Sequence, residues 1–238
     1  MLMRGFSVVG HRGAAGLEPE NTLRSFRKAI DLGADWIELD IHMTKDGELV
    51  VIHDDNVDRT TDGEGPVCNL SLEEIRGLNA GLGEKIPTLQ EVVDLARGKI
   101  KVDIEIKQAG VESRLVDLLL NNDFLKSAIV TSFKMDYLKN VKKLCDAVSV
   151  GAIIGERPED LIGFLEHLKR DIRADSVFAS TRAISPDAIE IMRRMGFRVG
   201  VWNTDTFRDI RRFAQMRPDF LCSNYPDRVL SAMAALPV

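Results

Sequence analysis

Asp35-Trp36-Ile37-Glu38-Leu39-Asp40-Ile41-His42 is followed within a few residues by the turn Lys45-Asp46-Gly47, and then by Glu48-Leu49-Val50-Val51-Ile52-His53. This stretch decides the topology. Alternation at period 2 predicts a strand with Glu38 and Asp40 on one face and Ile37, Leu39 and Ile41 on the other. A parallel return would need a crossover of about a dozen residues or more, so the second run is predicted to come back antiparallel, as the arm of a hairpin. Such a return carries His53 beside Glu38 and Asp40. A half-exposed antiparallel strand has the same alternation, so the surrounding chain must settle the class.

Upstream, Ser7-Val8-Val9-Gly10 reads as a short apolar strand running out into His11-Arg12-Gly13. A base and a cation at a strand's carboxyl end stand where parallel α/β folds place their chemistry, and Gly10 and Gly13 let the backbone turn there. A helix is predicted over 21–32, closed by Gly33. Downstream, residues 43–87 hold the hairpin, a Gly/Asp/Asn/Thr-rich stretch and one helix start at Ser71-Leu72-Glu73-Glu74. They are too long for an ordinary connection and read as an insertion. Alternation then resumes. A helix starts at Thr88-Leu89-Gln90-Glu91, and strands are predicted at 101–106, 127–132, 147–152, 175–180, 197–202 and 219–223. Between them come helices at 112–121, 135–145, 159–170, 186–195 and 206–215, one opened by Ser185-Pro186-Asp187 and closed by Gly196. With 6–10 and 35–41 this makes eight strands, each followed by a helix. The expected fold is a single α/β domain over residues 1–238, a (β/α)8 barrel with a small insertion after its second strand.

Length agrees, since such barrels run to about 250 residues. A net charge of -5 gives no support for nucleic-acid binding. No apolar run approaches the roughly 18 residues of a membrane span, and Met1 to Gly5 leaves no room for an export signal before the first strand. The three cysteines, Cys68, Cys145 and Cys222, lack metal-type spacing and read as free, mostly buried thiols. A cytoplasmic protein without stable membrane insertion is expected; oligomeric state is not readable.

Lys101-Val102-Asp103-Ile104-Glu105-Ile106-Lys107 again puts charges on one face of a strand. Barrel strands are normally apolar on both faces, and buried carboxylates are costly unless paired or metal-bound. Glu38, Asp40 and Glu105 therefore read as three oxygen ligands suited to Mg²⁺ or Ca²⁺, with a metal-free Lys/Arg–carboxylate network as the alternative. His11 and His53 fall at strand ends near those acids, where two histidines around a phosphorus can supply base and acid. His42 and His167 read as structural.

Together these motifs resemble the glycerophosphodiester phosphodiesterase family, related in fold to the phosphatidylinositol-specific phospholipases C. The resemblance runs through His11-Arg12-Gly13, Pro19-Glu20-Asn21-Thr22, Glu38-Leu39-Asp40, Thr44-Lys45-Asp46-Gly47, His53-Asp54, Arg59-Thr60-Thr61, Ile86-Pro87-Thr88-Leu89 and Ile104-Glu105-Ile106-Lys107. It implies a TIM barrel, a divalent metal on Glu38, Asp40 and Glu105, and His11 with His53 as the acid–base pair. It also implies a phosphate held by Arg12 and Lys107. Two late segments depart from the family pattern: Val201-Trp202-Asn203-Thr204 stands for Trp-Thr-Val-Asn, and Ser223-Asn224-Tyr225-Pro226 for Thr-Asp-x-Pro. Trp202 is expected either to pack on substrate or to fill the barrel rim.

The resemblance implies hydrolysis of glycerophosphodiesters to glycerol 3-phosphate and an alcohol. A cyclic phosphate is the expected route, and direct attack by water its rival. Alternatives are a lysophospholipase D-type or phospholipase C-like activity, a barrel stabilising an enolate on Mg²⁺, and a non-catalytic binder of phosphorylated ligands.

Overall fold

A computed structural model describes residues 5–234; the reading of the chain's first residues as too short for an export signal falls largely outside that range. Strands β1 (Ser7–Gly10), β2 (Trp36–Met43), β4 (Lys101–Ile106), β5 (Ala128–Ser132), β6 (Val150–Ile154), β7 (Ser176–Ser180), β8 (Arg198–Trp202) and β9 (Phe220–Ser223) are all parallel. β1 pairs with both β9 and β2, which closes the ring. β3 (Leu49–Val51) lies antiparallel on β2 with Ile41 opposite Val51, as the short turn requires. The fold is the expected (β/α)8 barrel.

Helices α1 (Leu23–Leu32), α3 (Leu89–Ala96), α4 (Glu112–Asn121), α5 (Met135–Leu144), α6 (Leu161–His167), α7 (Pro186–Arg194), α8 (Phe207–Gln215) and α9 (Pro226–Ala234) follow the barrel strands; α2 (Leu72–Gly77) lies between β3 and α3. Thr88 and Glu91 form a reciprocal capping box at the start of α3, and Ser71 and Glu74 do so for α2. α1 starts on the Thr22 hydroxyl and ends at Gly33, whose φ of 87° suits a residue without a side chain. β6 begins three residues later than the spacing predicts. Val148 looks like strand, but its N–H closes a turn on the Cys145 carbonyl, so pairing starts only at Val150.

The outward residues of the strands, Ile37, Leu39, Val102, Ile104, Val177 and Val199 among them, are buried against the helices. The inward residues form a second, smaller core. Trp36 meets Phe220 edge-on at 5.6 Å, and Phe178 stacks on Phe220 at 5.3 Å. Gly200 makes room for this packing, since a Cβ there would fall 2.3 Å from the Phe178 ring. At the amino-terminal ends, Asp35, Asp175 and Asp219 each bracket a neighbouring strand. Their carboxylates accept from the N–H groups of Val8, Val150 and Val199, while their own N–H groups donate to the carbonyls of those same residues. Between β2 and α3, Val50, Ile52, Val57, Val67 and Ile75 gather into a third apolar cluster that gives this segment its own packing. The cysteines carry no disulfide; Cys222 is buried as expected, Cys145 half-buried, and Cys68 exposed against expectation because it sits in a surface 3₁₀ turn.

Candidate active site at the carboxyl ends of the strands

The β2–β4 register sets Glu38 opposite Asp103 and Asp40 opposite Glu105, so four inward acids occupy two successive rungs above the aromatic core. All four are at least nine-tenths buried. Like charges placed opposite one another across a ladder repel. Burial, reinforced by Asp40 and Glu105, pushes Glu38 well above the usual carboxylate range. Burial and the Asp40 charge push Glu105 up to about 7. Asp103, buried and facing Glu105, also rises to about 7 although the Thr131 hydroxyl donates to it at 2.7 Å. Asp40 goes the other way. Burial opposes its charge, but Lys107 and Arg12 hold it below the usual range.

Arg12 has a left-handed backbone (φ 49°), and Gly13 beyond it (φ 84°) fits against Ser25 with no space for a side chain. The turn aims the Arg12 N–H at Glu38 Oε2 (2.9 Å). Its guanidinium reaches Glu20 (2.9 Å) and lies 3.3 Å from Asp40. Lys107, just past β4, donates to Glu105 at 2.9 Å and stands 3.4 Å from Asp40. His11 continues β1, its N–H bonded to the Ser223 carbonyl. Its Nδ1 is 2.7 Å from Asn224 Oδ1 and its Nε2 is 3.8 Å from Glu38. Burial and the neighbouring Arg12 charge lower its pKa. His53 returns from β3 as the hairpin predicts. Its Nδ1 is 2.6 Å from Asp54, which accepts from Arg59 at 2.7 Å, and Arg59 also donates to Glu20. An unbroken chain of charged contacts thus links His53 to Arg12.

His11, Arg12, Glu38, His53, Glu105 and Lys107 line one cavity of about 200 Å³. Asp40 lies in contact behind them. The far wall is apolar: Phe133, Ile153, Phe178 and Trp202. Trp202 packs at the barrel rim, its indole N–H donating to the Phe178 carbonyl (3.1 Å) and its ring meeting Phe133 edge-on, and it also lines the cavity. His42 bonds the His53 carbonyl and His167, the last residue of α6, bonds Asp171 in the π-helical turn that follows, both outside the cavity lining.

Glu38, Asp40 and Glu105 offer ligand atoms that all lie within 4.8 Å of one another. Asp40 Oδ1 is fully buried and accepts no hydrogen bond among the described residues, although Lys107 is near. A hard divalent cation fits this set, because it supplies the charge that the surrounding cations do not.

Residue-by-residue reading missed several neighbours. Asp103 was visible as the partner of Glu105 at period 2. Glu20, Asp54 and Arg59 stood only within quoted motifs. Asn203 stood only within a segment departing from the family pattern, and Phe133, Asp205 and the contact of Asn224 with His11 gave no local signal, because residues beyond the strand ends bring them in.

The chain's residues 11–228 match the glycerophosphoryl diester phosphodiesterase family, and the chain belongs to it. A glycerophosphodiester phosphodiesterase of Caldanaerobacter subterraneus subsp. tengcongensis is 36% identical, over 94% of this chain and 96% of the relative. A phosphodiesterase of Oleispira antarctica, solved with the product sn-glycerol-3-phosphate, superposes with a TM-score of 0.86 at 26% identity, over 96% of this chain and 97% of that one. A glycerophosphodiester phosphodiesterase of Agrobacterium tumefaciens superposes at 0.84 with 26% identity, over 95% and 99%. Among the described residues, no helix is long and apolar enough to cross a membrane.

Proposed function

We propose that this protein hydrolyses glycerophosphodiesters to glycerol 3-phosphate and an alcohol, within one catalytic domain in which residues 43–87 are an insertion. The observation that carries the reading is the convergence of two histidines, two cations and a cluster of carboxylates on one cavity. Glu38, Asp40 and Glu105 would hold Mg²⁺ or Ca²⁺. Bound there, the ion would neutralise charge building on the phosphate's non-bridging oxygens. Arg12 and Lys107, already beside these acids, would bind the same phosphate and orient it.

With its pKa lowered by burial and by the Arg12 charge, His11 is suited to accept a proton at Nε2. His53, backed by the Asp54 carboxylate, would give a proton to the leaving alkoxide. The nucleophile in this reading is the substrate's adjacent glycerol hydroxyl, which gains effective concentration that a free water lacks. Water would then open the cyclic phosphate with the histidines exchanging roles. The apolar wall of Phe133 and Trp202 would face the glycerol or the leaving group.

Incubation with glycerophosphocholine and Mg²⁺ or Ca²⁺ should release glycerol phosphate. A diester whose adjacent hydroxyl is methylated should bind and react at least about a hundredfold more slowly. Rapid turnover of the methylated diester would replace the cyclic route with direct attack by water. Absence of glycerol phosphate under all metals would remove the activity itself.

A further inference from the structure

His11 is held from behind by residues that close the barrel. Asn224 follows β9 and Asp205 follows β8. The Asp205 carboxylate accepts from Asn224 Nδ2 (2.7 Å), from the Asn224 backbone N–H (2.8 Å) and from the Ser223 hydroxyl (2.9 Å). The amide of Asn224 therefore cannot turn over. A flip would point its carbonyl at a carboxylate and lose a charge-assisted bond. With Nδ2 committed, Oδ1 is what meets His11 Nδ1 at 2.7 Å. A carbonyl oxygen only accepts, so Nδ1 must carry a hydrogen, and in the neutral ring Nε2 then has the free lone pair.

Asn203 touches the same nitrogen, its Nδ2 placed 3.1 Å from Nδ1, while its Oδ1 is buried without a partner. Two donors cannot share that contact. The conflict disappears when the Asn203 amide is turned to present its carbonyl, because among the described residues no other hydrogen bond fixes that side chain's orientation, whereas Asp205 fixes Asn224. We propose that Asp205 and Asn224 are positioning residues that lock His11 in the Nδ1–H tautomer and turn a free Nε2 toward the cavity. The role rests on the acid–base reading of His11 given above.

The lock has a specific test, because Asp205→Asn is isosteric. Its carbonyl oxygen can still accept from Ser223 and from the Asn224 backbone, so only the contact with Asn224 Nδ2 changes. ¹⁵N spectra of the metal-free protein, with the His11 signals assigned by their loss in His11→Ala, should show Nδ1 protonated above the titration of the ring. Asp205→Asn should let the Nε2–H tautomer appear and lower kcat about a hundredfold with KM nearly unchanged. Asn224→Asp alone sets a second carboxylate against Asp205 and should be comparably impaired. Exchanging both, Asp205→Asn with Asn224→Asp, restores one carboxylate beside one amide, and should recover the tautomer and bring kcat within about tenfold of the parent.

An Nε2–H ring in the parent protein overturns the proposal. So does an Asp205→Asn protein with unchanged tautomer and kcat, or an exchanged pair no better than its single variants. The catalytic reading fails separately: full activity of His11→Ala would remove His11 from the chemistry while the spectra still report the tautomer.

Discussion

The acids of this protein fall into two regions that handle negative charge in opposite ways. Inside the barrel, burial and mutual repulsion hold Glu38, Asp103 and Glu105 above the ordinary carboxylate range. At the seam between the barrel and the segment joining β3 to α3, hydrogen bonds from Arg59 hold Asp54 far below it. Burial works against the Glu20 charge, yet Arg59 and Arg12 bring that carboxyl down as well. Two carboxylates are thus met at the seam by two arginines, Arg59 and Arg12. The barrel layer has been left short of positive charge. Buried like charges cost stability, and such a cost is retained where a site is to receive something of opposite sign.

The largest test of that contrast is removal of metal. Exhaustive chelation should lower turnover by at least about 10²–10³. Restoring Mg²⁺ or Ca²⁺ to about 100 times its Kd should raise stability by ~2.7 kcal/mol, read as a shift in Tm. Glu38→Gln should shrink that shift, and Arg59→Ala should leave it intact. Full turnover with the metal content verified as nil would detach the reaction from the acidic layer.

The two regions were not equally legible. The barrel layer is written in the period-2 alternation of Trp36–Ile41 and Lys101–Ile106, since a strand fixes which residues share a face. His53 was placed by the same logic, because too few residues separate β2 from β3 for anything but a hairpin. The supports of His11 were not readable residue by residue. Asn224 is 213 positions away and meets it only because β9 pairs with β1. Asp205 and Asn203 sit in a loop whose polar residues look like those of any turn. The start of β6 was misplaced for a related reason: Val148 has strand character, but a turn after α5 overrides it.

A smaller effect should carry opposite signs in the two regions. In the chelated protein, Glu38→Gln removes a buried charge and leaves no cation unpaired, because Arg12 keeps Glu20 and Asp40 as partners. The substituted amide oxygen can still accept from the Arg12 N–H. Stability should rise, by about 1 kcal/mol. Asp54→Asn takes the carboxylate beside His53 and one of the two carboxylates of Arg59, which keeps Glu20, and should cost about 1 kcal/mol, held to that size by the exposure of Arg59. Urea midpoints that move in the same direction for both variants would erase the distinction.

The sharpest test is the direction of pH dependence. The folded-state pKa of Asp54 is depressed, so its contribution is complete above the unfolded value near 3.9 and is lost as pH falls below it. Asp103 and Glu105 stand at about 7 when folded, above unfolded values near 4, so the folded state binds protons that the unfolded state has released. Their contribution is complete below about pH 4 and is lost as pH rises toward about 7. Unfolding of the chelated protein should therefore show stability eroded at both ends by different groups. Asp54→Asn should flatten the acid limb and leave the neutral limb alone. Asp103→Asn, whose carbonyl still accepts from Thr131, should flatten the neutral limb and leave the acid one. If Asp103→Asn leaves the slope between about pH 4 and 7 unchanged, the barrel acids share their charge with a cation even without metal, and the contrast between the two regions fails.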